Sequence, residues 1–331
     1  MGMVENKEMK GSGNNLTDKS EEDATNMSRK SLRHILLTIS IVFLIAIAFN
    51  TRDEIAGHLD KTNWLLFFLS AIVGTTGYIA SGTYFQVLLK KHGETVDPTT
   101  SRKILLYAQI VKYIPGKIWA LIYQASLLKG IKSTKSVILS NMDFMVISMI
   151  MVTSISLGML ALSYSFWIFS GVIFLGGGSF LLIANSCTLS KLTGKIASTI
   201  KKEKEIRDAC ASPKENSRTL LYFATFSTTY AASHILMLNA VFGFDMEKSS
   251  LYLAYLGLAW IAGAITMISP GGIGIKEAAF VLMAQATIES PDMSELISIA
   301  VVSRLWTITQ EGMGAIWALV ESKYITKETT R

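Results

Sequence analysis

The chain has 331 residues, of which 50% are hydrophobic and 17% charged, with a net charge of +6. Soluble domains carry about 25% charged residues, so this composition argues against a soluble enzyme, a disordered protein and a collagen-like fibre. Cys187 and Cys210 lack zinc or redox spacing and the four histidines are scattered, so no metal or cofactor is expected.

Residues 1–30 are polar, with Glu21, Glu22 and Asp23 beside Lys7, Lys10 and Lys19. Such a stretch cannot bury enough apolar surface to offset its ordering entropy, and it reads as a disordered cytosolic tail. It is too acidic for the start of a cleaved signal peptide. A single integral membrane domain is expected over 31–321, followed by a cytosolic tail over 322–331. An α-helical span needs about 20 mostly apolar residues. Six segments qualify, near 32–50, 63–89, 136–162, 166–186, 219–242 and 296–320. Two more apolar stretches, 104–128 and 250–288, are interrupted by Pro-Gly. Between spans, the basic segment 187–218 places Leu189, Leu192, Ile196 and Ile200 at helical spacing among lysines. That pattern suits a short helix on an anionic leaflet, and equally an ordinary basic loop.

Lysine and arginine set the orientation. The segments 28–34, 90–103, 129–135, 187–218 and 321–331 together hold 21 basic residues, while 51–62, 163–165, 243–249 and 289–295 hold 3. Both termini are therefore expected in the cytosol, with the protein multi-pass in the cell membrane. Segment 104–128 lies between two basic loops and must leave and return on one side. Its halves are too short to span, so it reads as a re-entrant hairpin with Pro115 and Gly116 at its tip. Segment 250–288 has both ends on the opposite side and breaks at Pro270, Gly271, Gly272 and Gly274; a hairpin and a pair of full spans both remain open. The fold class is then an all-α polytopic membrane protein of two inverted repeats, 32–162 and 166–320, with six full spans plus two Pro-Gly-broken hairpins. Transporters are often built this way, and broken backbone at membrane depth lines a shared cavity or is buried in protein.

Two strings are distinctive: Lys112-Tyr113-Ile114-Pro115-Gly116-Lys117-Ile118-Trp119, and Pro270-Gly271-Gly272-Ile273-Gly274-Ile275-Lys276-Glu277-Ala278. Together they resemble the flippase-like integral membrane region shared by lysylphosphatidylglycerol synthases and their stand-alone relatives, over about 32–320. The resemblance implies a lipid-translocating module. In synthases a soluble aminoacyl-transferring domain follows this region. Here 11 residues follow the last span, so no synthase activity is expected.

Charges inside hydrocarbon are costly and mark function or internal pairing. Lys112, Lys117, Lys276 and Arg304 are the candidate binding residues for an anionic headgroup, since lysine acts as a point charge and arginine as a fork for phosphate oxygens. Glu277 and Glu311 are candidates for balancing those cations or coupling a proton. The bland alternative is that Lys276–Glu277 and Arg304–Glu311 are ion pairs that only fix packing. His234 reads as a packing residue and Asp143 as an interface or capping residue. Tyr113, Trp64, Trp119, Trp167 and Trp317 read as interface anchors. The leading expectation is a translocase for an anionic phospholipid or a lipid-linked, polyprenyl-phosphate-type sugar carrier, with membrane lipids as partners and no nucleic acid. Two alternatives are a non-transporting scaffold for envelope glycolipid or polysaccharide enzymes and a membrane enzyme, the latter without a nucleophile–base set to support it.

Overall fold

A computed structural model describes residues 60–113, 118–127, 134–162, 213–265, 274–288 and 291–328, with isolated positions at 49, 56, 168, 171–172, 176–177 and 272. The expected N-terminal tail, the spans 32–50 and 166–186, the bulk of segment 187–218, and Pro115, Gly116, Lys117, Pro270 and Gly271 lie outside the described residues. So does Trp167, as does the side chain of Trp119.

The described residues form eight longer helices and no strand. They are α1 (Trp64–Lys91), α2 (Pro98–Val111), α3 (Ile118–Leu127), α4 (Thr134–Leu162), α5 (Pro213–Phe242), α6 (Met246–Ile265), α7 (Ile275–Thr287) and α8 (Met293–Glu328). Three helices, Trp64–Lys91, Lys135–Leu162 and Met246–Ile265, are long and apolar enough to cross a membrane. Helices α2 and α3 have 14 and 10 residues. At about 1.5 Å per residue neither reaches across a hydrocarbon layer of about 30 Å. Helix α8 begins three residues before the expected span and continues to Glu328, through most of the stretch expected to be a tail. Asp292 sets its start, accepting from the Ser294 N–H at 2.9 Å.

Local chemistry fixes the other boundaries. Asn63 Oδ1 accepts from the Leu66 N–H and caps α1, which ends with Lys90 and Lys91 in its last turn, where cations complement the helix dipole. Asp97 caps α2, accepting from the Thr100 N–H at 2.8 Å and from its hydroxyl at 2.6 Å. Partial burial pushes the Asp97 carboxyl up, but the Thr100 and nearby backbone hydrogen bonds outweigh it and hold it below its ordinary value. A depressed carboxyl stabilises the fold above its unfolded value and loses that contribution as pH falls through the folded one. Asp97→Ala is therefore expected to lower stability at neutral pH by about 1 kcal/mol. Thermal unfolding of purified protein should show the gap closing in acid.

The helices before residue 163 pack mainly on those after residue 212. Helix α1 lies along α5 in the most extensive pairing, α4 packs on α6, and α2 packs on α8. Gly77 permits the first of these: a Cβ there would stand 2.6 Å from Thr229 Oγ1. The outer surface is largely apolar, and polar and charged groups are buried within the apolar core. Leu65, Leu221 and Leu282 are 79%, 68% and 65% exposed, whereas Ser140, Asp143 and Glu311 are at most 1% exposed. Water would penalise that outward surface, and a bilayer does not.

Arg102 joins α2 to α8: its Nε donates to Glu321 Oε2 at 2.9 Å and its Nη2 to Glu321 Oε1. Near the other end of α8, Lys248 Nζ lies 2.9 Å from Glu295 Oε1, which also accepts from the Tyr252 hydroxyl at 2.9 Å. Asp143 is a buried ion-pair residue, inside α4 and not at a helix end. Its carboxylate is fully buried in α4, with Lys91 Nζ at 3.2 Å and His92 Nε2 at 3.0 Å.

Candidate functional site

The C-terminal end of α2 supplies Lys112 and Tyr113, the first turn of α7 supplies Lys276 and Glu277, and the middle of α8 supplies Arg304 and Glu311. All but Glu311 line one cavity of about 170 Å³. Glu311 stands behind Lys112, with its side chain fully buried. Four of the five described charged candidates therefore share a single interior space, although they are up to 192 positions apart in sequence.

The ion pairs differ from those that sequence proximity would give. Arg304 Nη1 donates to Glu277 Oε1, joining α8 to α7. Lys112 Nζ donates to Glu311 Oε1, joining α2 to α8, and also to Gln109 Oε1 at 2.9 Å. The Tyr78 hydroxyl donates to the same Glu311 oxygen at 3.3 Å. Arg304 and Glu311 share a helix but each is committed to another helix. The Tyr113 ring lies near both cations, 5.3 Å from Lys112 Nζ and 5.8 Å from Arg304 Cζ, within cation–π range. Tyr113 is 3% exposed, so it is a wall of the cavity and not an interface anchor. Trp64 and Trp317, 47% and 51% exposed, lie on the outer surface.

Lys276 is the exception among the described cations of this cavity. Its ammonium makes no ion pair or hydrogen bond with any described residue, and its stem runs against Gly263 of α6 and Gly272. A Cβ at Gly263 would overlap the Lys276 Cγ, and one at Gly272 would stand 2.8 Å from its Cε. Gly272 and Gly274 hold φ of +73° and +81°, which glycine adopts without strain. The break before α7 thus both turns the chain and makes room for the Lys276 side chain. Arg304 Nε, Glu277 Oε2 and Glu311 Oε2 are buried with no hydrogen-bond partner among the described residues. Buried charged atoms left this way are an expensive arrangement.

Another part of the cavity wall, Phe226, Tyr230 and His234 of α5, has a fainter signature in the sequence, in a series that begins at Tyr222 outside the cavity. Tyr222, Phe226, Tyr230 and His234 recur every fourth residue along α5. Their rings run in series: Tyr222–Phe226 at 5.8 Å, Phe226–Tyr230 at 5.7 Å and Tyr230–His234 at 4.2 Å. The series ends on Trp306 of α8, 4.6 Å from His234. His234 Nδ1 lies 2.8 Å from the Tyr230 carbonyl oxygen, a packing role. Only the four-residue aromatic repeat signals this wall, and in the sequence it is indistinguishable from ordinary helix packing. Among the described residues, no group of three or more His, Cys, Asp or Glu is placed to hold a metal ion.

An interior space with three cations among its described lining residues suits an anion. Residues 33–309 match the family described as the lysylphosphatidylglycerol synthase TM region. The chain belongs to that family. The match includes Lys112, Lys276, Glu277 and Arg304 and stops two residues short of Glu311. Membership gives a membrane location and a lipid-related role. No curated protein matches the chain.

Proposed function

We propose that this member of the lysylphosphatidylglycerol synthase TM region family is a translocase that moves an anionic phospholipid, or a lipid-linked sugar carrier, across the cell membrane. The observation that carries this reading is Lys276: a cation inside the bundle, uncommitted among the described residues, facing a cavity that Lys112 and Arg304 also line. An interior lysine with no direct ion pair among the described residues is costly, and an anionic headgroup supplies that contact. Lys112 and Arg304, each already paired to a glutamate, exchange one carboxylate oxygen for a phosphate oxygen as the ligand enters. Lys117 belongs to the same basic set by its place beside the first break.

The proposal takes the two Pro-Gly breaks as the ends of hairpins entering from opposite leaflets, in two inverted halves with both termini cytosolic. The large excess of lysine and arginine on one set of loops supports that sidedness, and the shortness of α2 and α3 supports the first hairpin. The chain acts as a transporter and not as a synthase. Its partners are membrane lipids, and any driving force comes from an ion gradient, a partner or the lipid gradient.

Purified protein in vesicles carrying a fluorescent-headgroup phosphatidylglycerol, probed by dithionite quenching, tests this. The wild-type protein is expected to make inner-leaflet label accessible. Lys276→Gln is expected to slow that process by about tenfold or more, from the loss of a charge-assisted contact. No wild-type translocation of any anionic lipid, phosphoprenol carriers included, would refute the function. Wild-type rates in a folded Lys276→Gln protein would remove Lys276 from the site.

A further inference from the structure

The cationic wall accounts for a phosphate but not for the rest of the cavity. Thr229 and Ser233 of α5 and Ser303 and Thr307 of α8 also line it. Each spends its one hydroxyl proton on a carbonyl in its own helix. Thr229 donates to Thr225 at 2.8 Å, Ser233 to Tyr230 at 3.1 Å, Ser303 to Ala300 at 3.0 Å and Thr307 to Ser303 at 2.8 Å. A hydroxyl used this way keeps its acceptor lone pairs. Each of the four is therefore left as an acceptor on a cavity wall.

Phosphate oxygens are acceptors too, so a phosphodiester alone cannot satisfy these groups. A ligand that leaves those lone pairs unused forgoes a hydrogen bond at each. They need a ligand part that donates. Lipid headgroups donate mainly through ammonium, or through hydroxyls and the amide N–H groups of acylated sugars. The charge around the cavity separates them: Lys112, Lys276 and Arg304 stand against the carboxylates of Glu277 on the wall and Glu311 behind Lys112, and that positive excess disfavours a second cation. Phe226, Tyr230 and Trp260 add flat apolar surface to the same cavity, against which the C–H face of a sugar or cyclitol ring packs.

Resting on the translocase reading above, we infer that the substrate of this site is a lipid phosphodiester with an uncharged polyhydroxylated headgroup. The phosphate lies at Lys276 and Arg304, and the headgroup hydroxyls donate to Ser233, Thr229, Ser303 and Thr307. This narrows the anionic lipids to glycosyl or cyclitol phosphodiesters.

The test is a competition assay on the purified full chain in detergent, reading displacement of a fluorescent phosphatidylglycerol. The unlabelled probes each carry one phosphodiester. Phosphatidylinositol and a short-chain glucosyl phosphoprenol bring hydroxyl donors. Phosphatidylmethanol brings none, and lysylphosphatidylglycerol brings ammonium groups. The two polyol lipids are expected to displace the label at about tenfold lower concentration than phosphatidylmethanol, the equivalent of one or two net hydrogen bonds. Ser233→Ala and Thr307→Val, which remove acceptors with little change of volume, are expected to narrow that gap below about threefold. Equal potency of phosphatidylmethanol and the polyol lipids on wild-type protein would overturn the inference. So would tighter binding of lysylphosphatidylglycerol than of either polyol lipid. Both of these outcomes are measured on wild-type protein, so poor folding of a variant does not blunt them. Failure of the reading it rests on looks different: no phosphodiester lipid, polyol or not, displaces the label. Unchanged displacement in a folded Lys276→Gln protein would overturn the placement of the phosphate at Lys276.

Discussion

Asp143→Ala should cost about 3–5 kcal/mol of stability, as expected when one partner of a buried ion pair is removed. The Asp143 side chain is fully buried, and those of Lys91 and His92 are only 6% exposed. The carboxylate joins the end of α1 to the interior of α4, and the Ser136 hydroxyl adds a bond to the His92 carbonyl at 2.8 Å. Alanine removes the anion and leaves the Lys91 ammonium in a place water hardly reaches. Asp143→Asn retains the volume and one acceptor and should fall between the two. Unfolding of purified protein in mixed micelles, followed by helical circular dichroism, measures this. Wild-type stability for Asp143→Ala would show that Lys91 finds water or another anion without rearrangement.

The second large effect concerns Lys112 and Glu311, whose two deletions should be unequal. The Lys112 side chain is 27% exposed toward the cavity, while that of Glu311 is fully buried, with one oxygen already lacking a hydrogen bond among the described residues. In Glu311→Gln the ammonium keeps a neutral acceptor and the Gln109 contact, so the cost is small. In Lys112→Ala the buried carboxylate loses its cation and is left, among the described residues, with tyrosine hydroxyls such as Tyr78, and stability should drop by about 3–5 kcal/mol. The combined Lys112→Ala and Glu311→Gln protein should recover most of that loss, a coupling that a double-mutant cycle reads directly. Additive effects would mean that the two groups do not sense each other.

The helical, membrane-embedded character is legible in the sequence because hydropathy and charge sidedness are properties of long segments. The spans near 63–89 and 136–162 correspond to α1 and α4 within two residues at each end. The last helix outruns its expected span, because its outer turns are polar and only Asp292 and continued helix propensity mark them. Arg304 and Glu311 are legible as costly charges, and Lys276 as the basic residue after a glycine-rich break. Their partners are not. Periodicity places residues on a helix face but does not say which helix lies opposite, so the Arg304–Glu277 and Lys112–Glu311 pairs have no signature. Lys91 and His92 look like ordinary residues of a basic loop, and Asp143 gives no sign of pairing with them across 50 intervening positions. Gly263 looks like one more helix glycine, and only the fold brings the Lys276 stem against it.

Helix α8 has a mechanical consequence. Glu295 and Glu321, tied to Lys248 and Arg102, are 26 residues apart on one continuous helix, about 39 Å along its axis. Arg304 and Glu311 sit between them. A stiff rod fastened at both ends and gripped at its waist cannot swing at one face of the bilayer without turning the grip. Release of the Arg102 tether would therefore be felt at the interior cavity as torque on Arg304 and Glu311.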